Sequence, residues 1–137
     1  VDHLDPARRS ENMRRVKGCD TEPELLVRRA LHAAGRRFRL HRRDLPGRPD
    51  IVLPKDRLAI FVHGCFWHRH QGCSRTTIPA TRRDFWEAKF ERTVERDAQQ
   101  IAALEGMGWH VEVIWECEVR RPPLLQARIQ SIIRDPA

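Results

Sequence analysis

Apolar residues recur along this chain with two periods, and each change of period marks a new element. Leu25, Leu26, Ala30, Leu31 and Ala34 keep the spacing of one helix face. The residues before them, Asp20-Thr21-Glu22-Pro23-Glu24, form a helix start. Asp20 or Thr21 can cap, Pro23 suits the first turn, and acids favour the positive end of the helix dipole. Gly35 ends the helix, and Arg28 and Arg29 fall off its stripe. Phe38-Arg39-Leu40-His41 then alternates as a strand does. A turn-rich loop, Leu45-Pro46-Gly47-Arg48-Pro49, leads to Asp50 and the apolar run Ile51-Val52-Leu53, which Pro54 cuts off. Lys55-Asp56 turns the chain into a second run, Arg57 to Val62. The two runs are close enough to pair as a hairpin, which brings Asp50 near Val62 and His63.

The second half follows the helical period first. Thr81 to Gly106 predicts a long helix with an imperfect stripe of Phe85, Ala88, Lys89, Val94, Ile101, Ala102 and Leu104. Mixed charges, from Arg82 to Asp97, cover its other face. Trp109 to Trp115 alternates and reads as a strand ending at Glu116-Cys117. Pro122-Pro123 breaks the chain, and Leu124, Leu125, Ile129, Ile132 and Ile133 mark a final helix. The order is helix, three strands, long helix, strand, helix. It predicts an α/β fold with a mixed central sheet flanked by helices.

A length of 137 residues suits one hydrophobic core. Residues 1–20 hold Arg8, Arg9, Arg14, Arg15 and Lys17 without an apolar period, and read as a basic N-terminal arm. Residues 21–137 read as a single domain, with no internal repeat or linker. Apolar content of 40% with 33% charge excludes a disordered chain. Lys and Arg number 26 against 19 Asp and Glu, a net charge of +7 with a pI near 10.2, so a polyanion is the natural partner. No apolar run approaches a bilayer span, which excludes a helical membrane protein. No signal-peptide pattern opens the chain, and two of its four cysteines stand among histidines. That favours a reducing cytoplasm and a metal site over disulfides. The chain starts at Val1, so a trimmed native start is expected.

The stretch Phe61 to Cys73 carries most of the candidate chemistry. Cys65, His70 and Cys73 have the spacing C-x4-H-x2-C, and Cys117 stands at the end of a later strand. Together they make a Cys3His set, a structural zinc type with no open position. For the fourth ligand Cys19, His63 and His68 compete. Asp50, in Arg-Pro-Asp at the start of a strand, matches the acid of a Mg²⁺-dependent nuclease. The acid-x-Lys triplet that usually accompanies it is replaced by Phe61-Val62-His63. The ion would then rest on Asp50, on a backbone carbonyl such as that of Val62, and on water. His68 is not needed by the zinc set and is free for acid–base work with His63, or is simply a solvent-facing histidine. Phe66, Trp67 and Trp86 are either core aromatics or wedges that enter a duplex. On spacing alone Glu24 is an ordinary first-turn acid.

Several ordered motifs resemble the very-short-patch mismatch repair (Vsr) endonucleases. They are Arg9-Ser10-Glu11-Asn12-Met13, Asp20 to Glu24, Leu45 to Asp50, Phe61 to Cys73, Pro79-Ala80-Thr81-Arg82, Phe85-Trp86, Val94 to Asp97, and Gly108-Trp109 to Cys117. The resemblance runs from about Arg9 to Cys117. It implies a restriction-endonuclease-like fold and Mg²⁺-dependent nicking of one strand 5′ to the thymine of a T:G mismatch. Such mismatches arise when 5-methylcytosine deaminates. Residue by residue, it implies Asp50 and the Val62 carbonyl at the Mg²⁺ ion, His63 facing phosphate, and His68 as general base. It makes Glu24 the acid that supports that base. Cys65, His70, Cys73 and Cys117 would hold Zn²⁺, and Phe66, Trp67 and Trp86 would intercalate. It implies double-stranded DNA as partner, cooperation with general mismatch-repair proteins, and action as a monomer. Two departures stand out: Gln71-Gly72 lengthens the loop by one residue, and Arg69 takes a position where a further His is typical. Two other readings are a non-catalytic zinc-stabilised DNA-binding module and a type II restriction endonuclease that cuts both strands. The missing acid-x-Lys triplet argues against the second.

Overall fold

The computed structural model describes residues 20–134. All but Asp20 of the basic arm, and Cys19 with it, lie outside the described residues. Helix α1, Glu22–Ala33, opens on Thr21, whose Oγ1 accepts from the Glu24 amide at 3.4 Å. It closes through Gly35 at φ 77°, with the Arg36 amide reaching back to the Leu31 carbonyl at 3.0 Å. This is the glycine C-cap expected from the sequence. The buried line of α1 differs from the expected stripe. Val27, Leu31 and Glu24 are buried, while Leu25 is 37% exposed and Ala34 lies outside. Burial of an acid turned the helix away from its most hydrophobic face, and the ion pairs of Glu24 described below offset that cost.

Strands β1 (Arg39–Leu40), β2 (Ile51–Leu53), β3 (Leu58–His63) and β4 (His110–Trp115) form one sheet in the order β1-β2-β3-β4. β1 is shorter than its alternation predicts and both its residues are exposed, as befits a sheet edge. β2 and β3 pair antiparallel, Ile51 opposite Ile60, across a 3₁₀ turn at Pro54–Asp56. β3 and β4 pair parallel, from Leu58 opposite His110 to His63 opposite Trp115. A parallel pair needs a long crossover, and helix α2, Arg83–Gly106, is that crossover. Helix α3 (Glu116–Val119) and helix α4 (Pro122–Arg134) follow. The two prolines begin α4 rather than merely ending what precedes it, because a helix's first turn has amides that need no partner.

Both faces of the sheet are covered. Ile51, Leu58, Ile60 and Ile114 pack with Val27 and Leu31 of α1 and with Leu125, Ile129 and Ile132 of α4. Val52, Ala59 and Phe61 pack on the other face with Leu104 of α2 and Trp109. Side chains alternate along a strand, so His63 and Trp115 extend this second face, toward α2. In α4 Leu124 points outward, 47% exposed, against expectation. The expected stripe of α2 holds at its C-terminal end, where Leu104 is buried and Ile101 packs beside it, and fails earlier: Phe85 and Val94 are 43% and 45% exposed. The inward line is Trp86, Phe90, Thr93, Asp97, Gln100 and Leu104. Its ends are apolar and its middle is polar, because the middle of the helix borders a polar cleft. Among the described residues no helix is long and apolar enough to cross a membrane.

Candidate active site

The cleft lies where β3 ends beside α2, and Asp50 sits on its floor. The β2–β3 hairpin delivers the proximity expected of it: Asp50 Oδ2 accepts from the Val62 amide at 2.8 Å. If the β2–β3 register is continued, Pro49 stands opposite Val62. A proline has no N–H to give the Val62 carbonyl. In a strand that carbonyl shares an edge with its own amide, which faces Asp50. Carboxylate and carbonyl oxygens are the donors a hard divalent cation prefers, so the pair fits Mg²⁺. Gly47 makes the approach possible. It has φ +75°, and a Cβ there would stand 2.9 Å from Gln100 Oε1 of α2. Burial pushes the Asp50 carboxyl up to about 7, against a smaller lowering by the Val62 amide. A cation beside it would reverse that.

His63 and His68 stack in parallel, ring centroids 3.8 Å apart. Burial, with His68 next to it, pushes the His63 ring down to about 3, so it is neutral at any working pH. His68 Nδ1 lies 2.6 Å from Asp97 Oδ2. A carboxylate only accepts, so Nδ1 carries a proton, and in the neutral ring this leaves the lone pair on Nε2. The residue behind His68 is therefore Asp97, where the resemblance implied Glu24. In the sequence Asp97 is one more charge on an exposed helix face. The signal that could have found it is its place on the line of Trp86, Phe90 and Leu104.

Glu24 is occupied elsewhere. It is 1% exposed, and its Oε1 lies 2.7 Å from Arg28 Nη2 and 2.8 Å from His41 Nε2. Its Oε2 accepts from the Asp20 amide at 2.9 Å. His41 ties this cluster to Asp50, since the His41 amide donates to the Asp50 carbonyl at 3.2 Å. Arg28 stands four residues after Glu24 on α1, a spacing the sequence already offers. His41 had no such signal, since it meets Glu24 only once α1 packs beside the end of β1. Arg48 and Arg96 line the cleft with His41 and Asp97. They give it the cationic wall a phosphodiester needs.

Beside the cleft, Cys65, His70, Cys73 and Cys117 bring four ligand atoms within 4.8 Å of one another. Cys117 Sγ and His70 Nδ1 are 3.5 Å apart. A tetrahedral zinc with bonds of about 2.1 and 2.3 Å puts such ligands roughly 3.6 Å apart. The donor set and the spacing thus fit one zinc ion. Of the competitors for the fourth position, His63 and His68 turn instead to Asp97. Cys117 arrives from the end of β4 because parallel pairing sets Trp115 opposite His63. The His70 ring is stacked on Trp115 at 4.2 Å, and Thr76 Oγ1 donates to the His70 carbonyl at 2.6 Å. Burial pushes the Cys65 thiol up to about 12, and the Arg75 amide draws the Cys73 thiol down. A shared cation would let all three sulfurs ionise together.

Phe66 and Trp67 project from this loop and meet Trp86 and Phe90 of α2. Phe66 lies edge-on to Trp67 at 5.0 Å and to Phe90 at 5.1 Å, and Trp67 is 6.0 Å from Trp86. Lys89 Nζ sits 5.7 Å from the Trp67 ring. Phe90 alone of these is buried; Phe66, Trp67 and Trp86 keep part of their surface in solvent. These aromatics pack on one another, and one side of the cluster stays open to solvent.

Residues 1–75 match the family described as DNA mismatch endonuclease Vsr. The chain is 49% identical over 137 residues to the "Type II nicking enzyme V.XorIIP" of Xanthomonas oryzae pv. oryzae, covering 100% of this chain and 99% of that one. It is 45% identical over 120 residues to the "DNA mismatch endonuclease Vsr" of Escherichia coli, covering 88% of this chain and 76% of the relative. The "Type II nicking enzyme V.NmeAIP" of Neisseria meningitidis is 37% identical over 135 residues, covering 98% of this chain and 96% of its own length. The chain belongs to the Vsr family, and its activity is that of a DNA mismatch endonuclease.

Proposed function

We propose that this enzyme nicks one strand of duplex DNA, 5′ to the thymine of a T:G mismatch left by deamination of 5-methylcytosine. We read its fold as the restriction-endonuclease type, with Mg²⁺ as the catalytic ion and Zn²⁺ in the Cys3His set. The observation that carries the reading is the convergence, in one cleft, of Asp50, His63, His68 and Asp97 beside an aromatic cluster. Asp50 and the Val62 carbonyl would hold the divalent ion, whose chemistry there would be charge neutralisation on the scissile phosphate and activation of water. His68 takes the proton of the attacking water through Nε2. Asp97 keeps the ring in that tautomer and stabilises the imidazolium that results. His63, neutral beside it, gives one hydrogen bond to a phosphate oxygen without repelling the protonated His68. Glu24 acts through Arg28 and His41, whose amide bonds the Asp50 carbonyl. Phe66 and Trp67, with Trp86 behind them, enter the stack where a wobble pair makes unstacking less costly.

Duplexes that differ only in one T:G or T:A pair, each with Mg²⁺ or EDTA, test the reading. One nick is expected, in the T:G duplex with Mg²⁺ alone. Equal nicking of T:A, or cleavage of both strands, would overturn it. Asp97→Asn tests the base assignment. Nicking should fall by about 10²–10⁴-fold, because an amide that donates to Nδ1 presents the wrong tautomer. Affinity for the duplex should not change. A single-turnover rate within a few-fold of wild type would remove His68–Asp97 from the mechanism.

A further inference from the structure

Arg69 follows His68 directly, yet none of the roles above uses it. Its backbone is in the left-handed region at φ 56°, which a residue with a Cβ rarely adopts. Its guanidinium is turned inward. Nη1 donates to the Phe66 carbonyl at 3.1 Å and to the Thr77 carbonyl at 2.8 Å. The same group lies 3.9 Å over the Phe90 ring of α2 and 5.6 Å from the Phe66 ring. One side chain thus joins the start of the Cys65–Cys73 loop, the segment that leaves it, and the long helix. Only arginine does all of this, since its planar fork reaches two carbonyls while its face stacks on a ring. A lysine offers a point charge and no face. The donor committed to Phe66 and Thr77 is also committed away from DNA phosphate, which separates Arg69 from the exposed basic residues around it.

We propose that Arg69 is a positioning residue for the intercalating wedge, holding Phe66 and, through the shared loop, Trp67 at the angle that enters the duplex. The proposal rests on reading Phe66 and Trp67 as the wedge. An aromatic already held in its bound orientation need not be ordered when it meets DNA, so more of the stacking energy remains for opening the base step. Cys65 and Cys73 bring the two ends of the loop to the Cys/His centre; Arg69, between them, fixes the stretch after Cys65 from which the wedge residues project.

Arg69→Met keeps the apolar stem and removes the fork. The expected result is a roughly tenfold loss of T:G nicking, the scale of a desolvated cation–π contact. With it should go most of the brightening of 2-aminopurine placed beside the mismatch. Zinc content, affinity for paired DNA and the salt dependence of that affinity should match wild type. Arg69→Lys should not restore the loss. Phe90→Leu, which removes the platform from the helix side and leaves the loop sequence intact, should reproduce it. A shallower salt slope, by about one counterion, would make Arg69 a phosphate anchor instead. Parallel loss of zinc would make it a structural part of the metal loop. Wild-type nicking and brightening in both Arg69→Met and Phe90→Leu would also overturn the proposal. Trp67→Ala is the control for the reading beneath it. If Trp67→Ala nicks T:G at the wild-type rate with the same preference over T:A, the wedge itself fails. If Trp67→Ala loses that preference and the Arg69 variants do not, only the proposal for Arg69 fails.

Discussion

Asp50→Asn should abolish nicking and at the same time stabilise the metal-free protein above neutral pH. The first effect follows from the ion: losing a carboxylate's hold on it removes several kcal/mol of transition-state stabilisation, about 10³-fold or more in rate. The second follows from burial. Folding raises the Asp50 carboxyl from 3.8 to about 7, so the folded state favours the protonated form. Stability therefore declines as pH rises from about 4 through about 7, and the full penalty stands above that. At most ~4 kcal/mol is involved, and solvent reaching the cleft reduces it. Asparagine carries no charge and can still accept from the Val62 amide. Its melting temperature without metal should exceed that of wild type at pH 8 and equal it near pH 4. Mg²⁺ should raise the wild-type melting temperature at pH 8 and leave that of the variant unchanged. Thermal melts at the two pH values, with and without Mg²⁺, together with single-turnover nicking, decide the matter. A substantial Mg²⁺-dependent rate in Asp50→Asn would mean that the ion is held elsewhere.

Cys117→Ser should lose metal and fold together. Structural zinc contributes roughly 10–16 kcal/mol in small zinc peptides, and a native domain stands only about 5–15 kcal/mol above unfolding. One missing ligand therefore leaves little stability. Cys117 stands in α3 just past the end of β4, so without a shared ion the loop after β3, with Phe66, Trp67 and His68, would lose its link to Cys117. The purified wild type should hold about one zinc per chain. The variant should hold almost none, melt far lower, and regain nothing from added zinc. Cys19→Ser is the counterpart and should keep its zinc. Full occupancy in Cys117→Ser with a metal-free Cys19→Ser would assign the fourth ligand wrongly.

Much of this site is legible before folding because it depends on neighbours in sequence. The meeting of Asp50 with Val62 follows from two apolar runs separated by Pro54 and a short turn, since a short turn limits the register. The C-x4-H-x2-C spacing gathers three of the four Cys/His ligand atoms in one loop. Other features escape the local pattern for a common reason. Leu25, Leu124, Phe85 and Val94 look like core by hydrophobicity, yet each is exposed. The helices are oriented by what their polar residues must reach. Glu24 turns α1 toward His41, and Asp97 turns α2 toward His68, partners that no local pattern contains.

The sequence by itself determined the order of elements, the caps and turns that bound them, the hairpin under Asp50 and the chemical types gathered in the Phe61–Cys73 loop. These rest on periodicity and turn chemistry, which act over a few residues. The tertiary structure alone decided that Asp97 and not Glu24 stands behind His68, that Glu24 meets His41, and that Arg69 braces the loop at Phe66 against Phe90. It also brought Cys117 to the loop, through the parallel pairing of β3 with β4. Each of these pairs residues from separate elements, and their distances are set by how a helix rotates on a sheet to bury its apolar side and satisfy its buried charges.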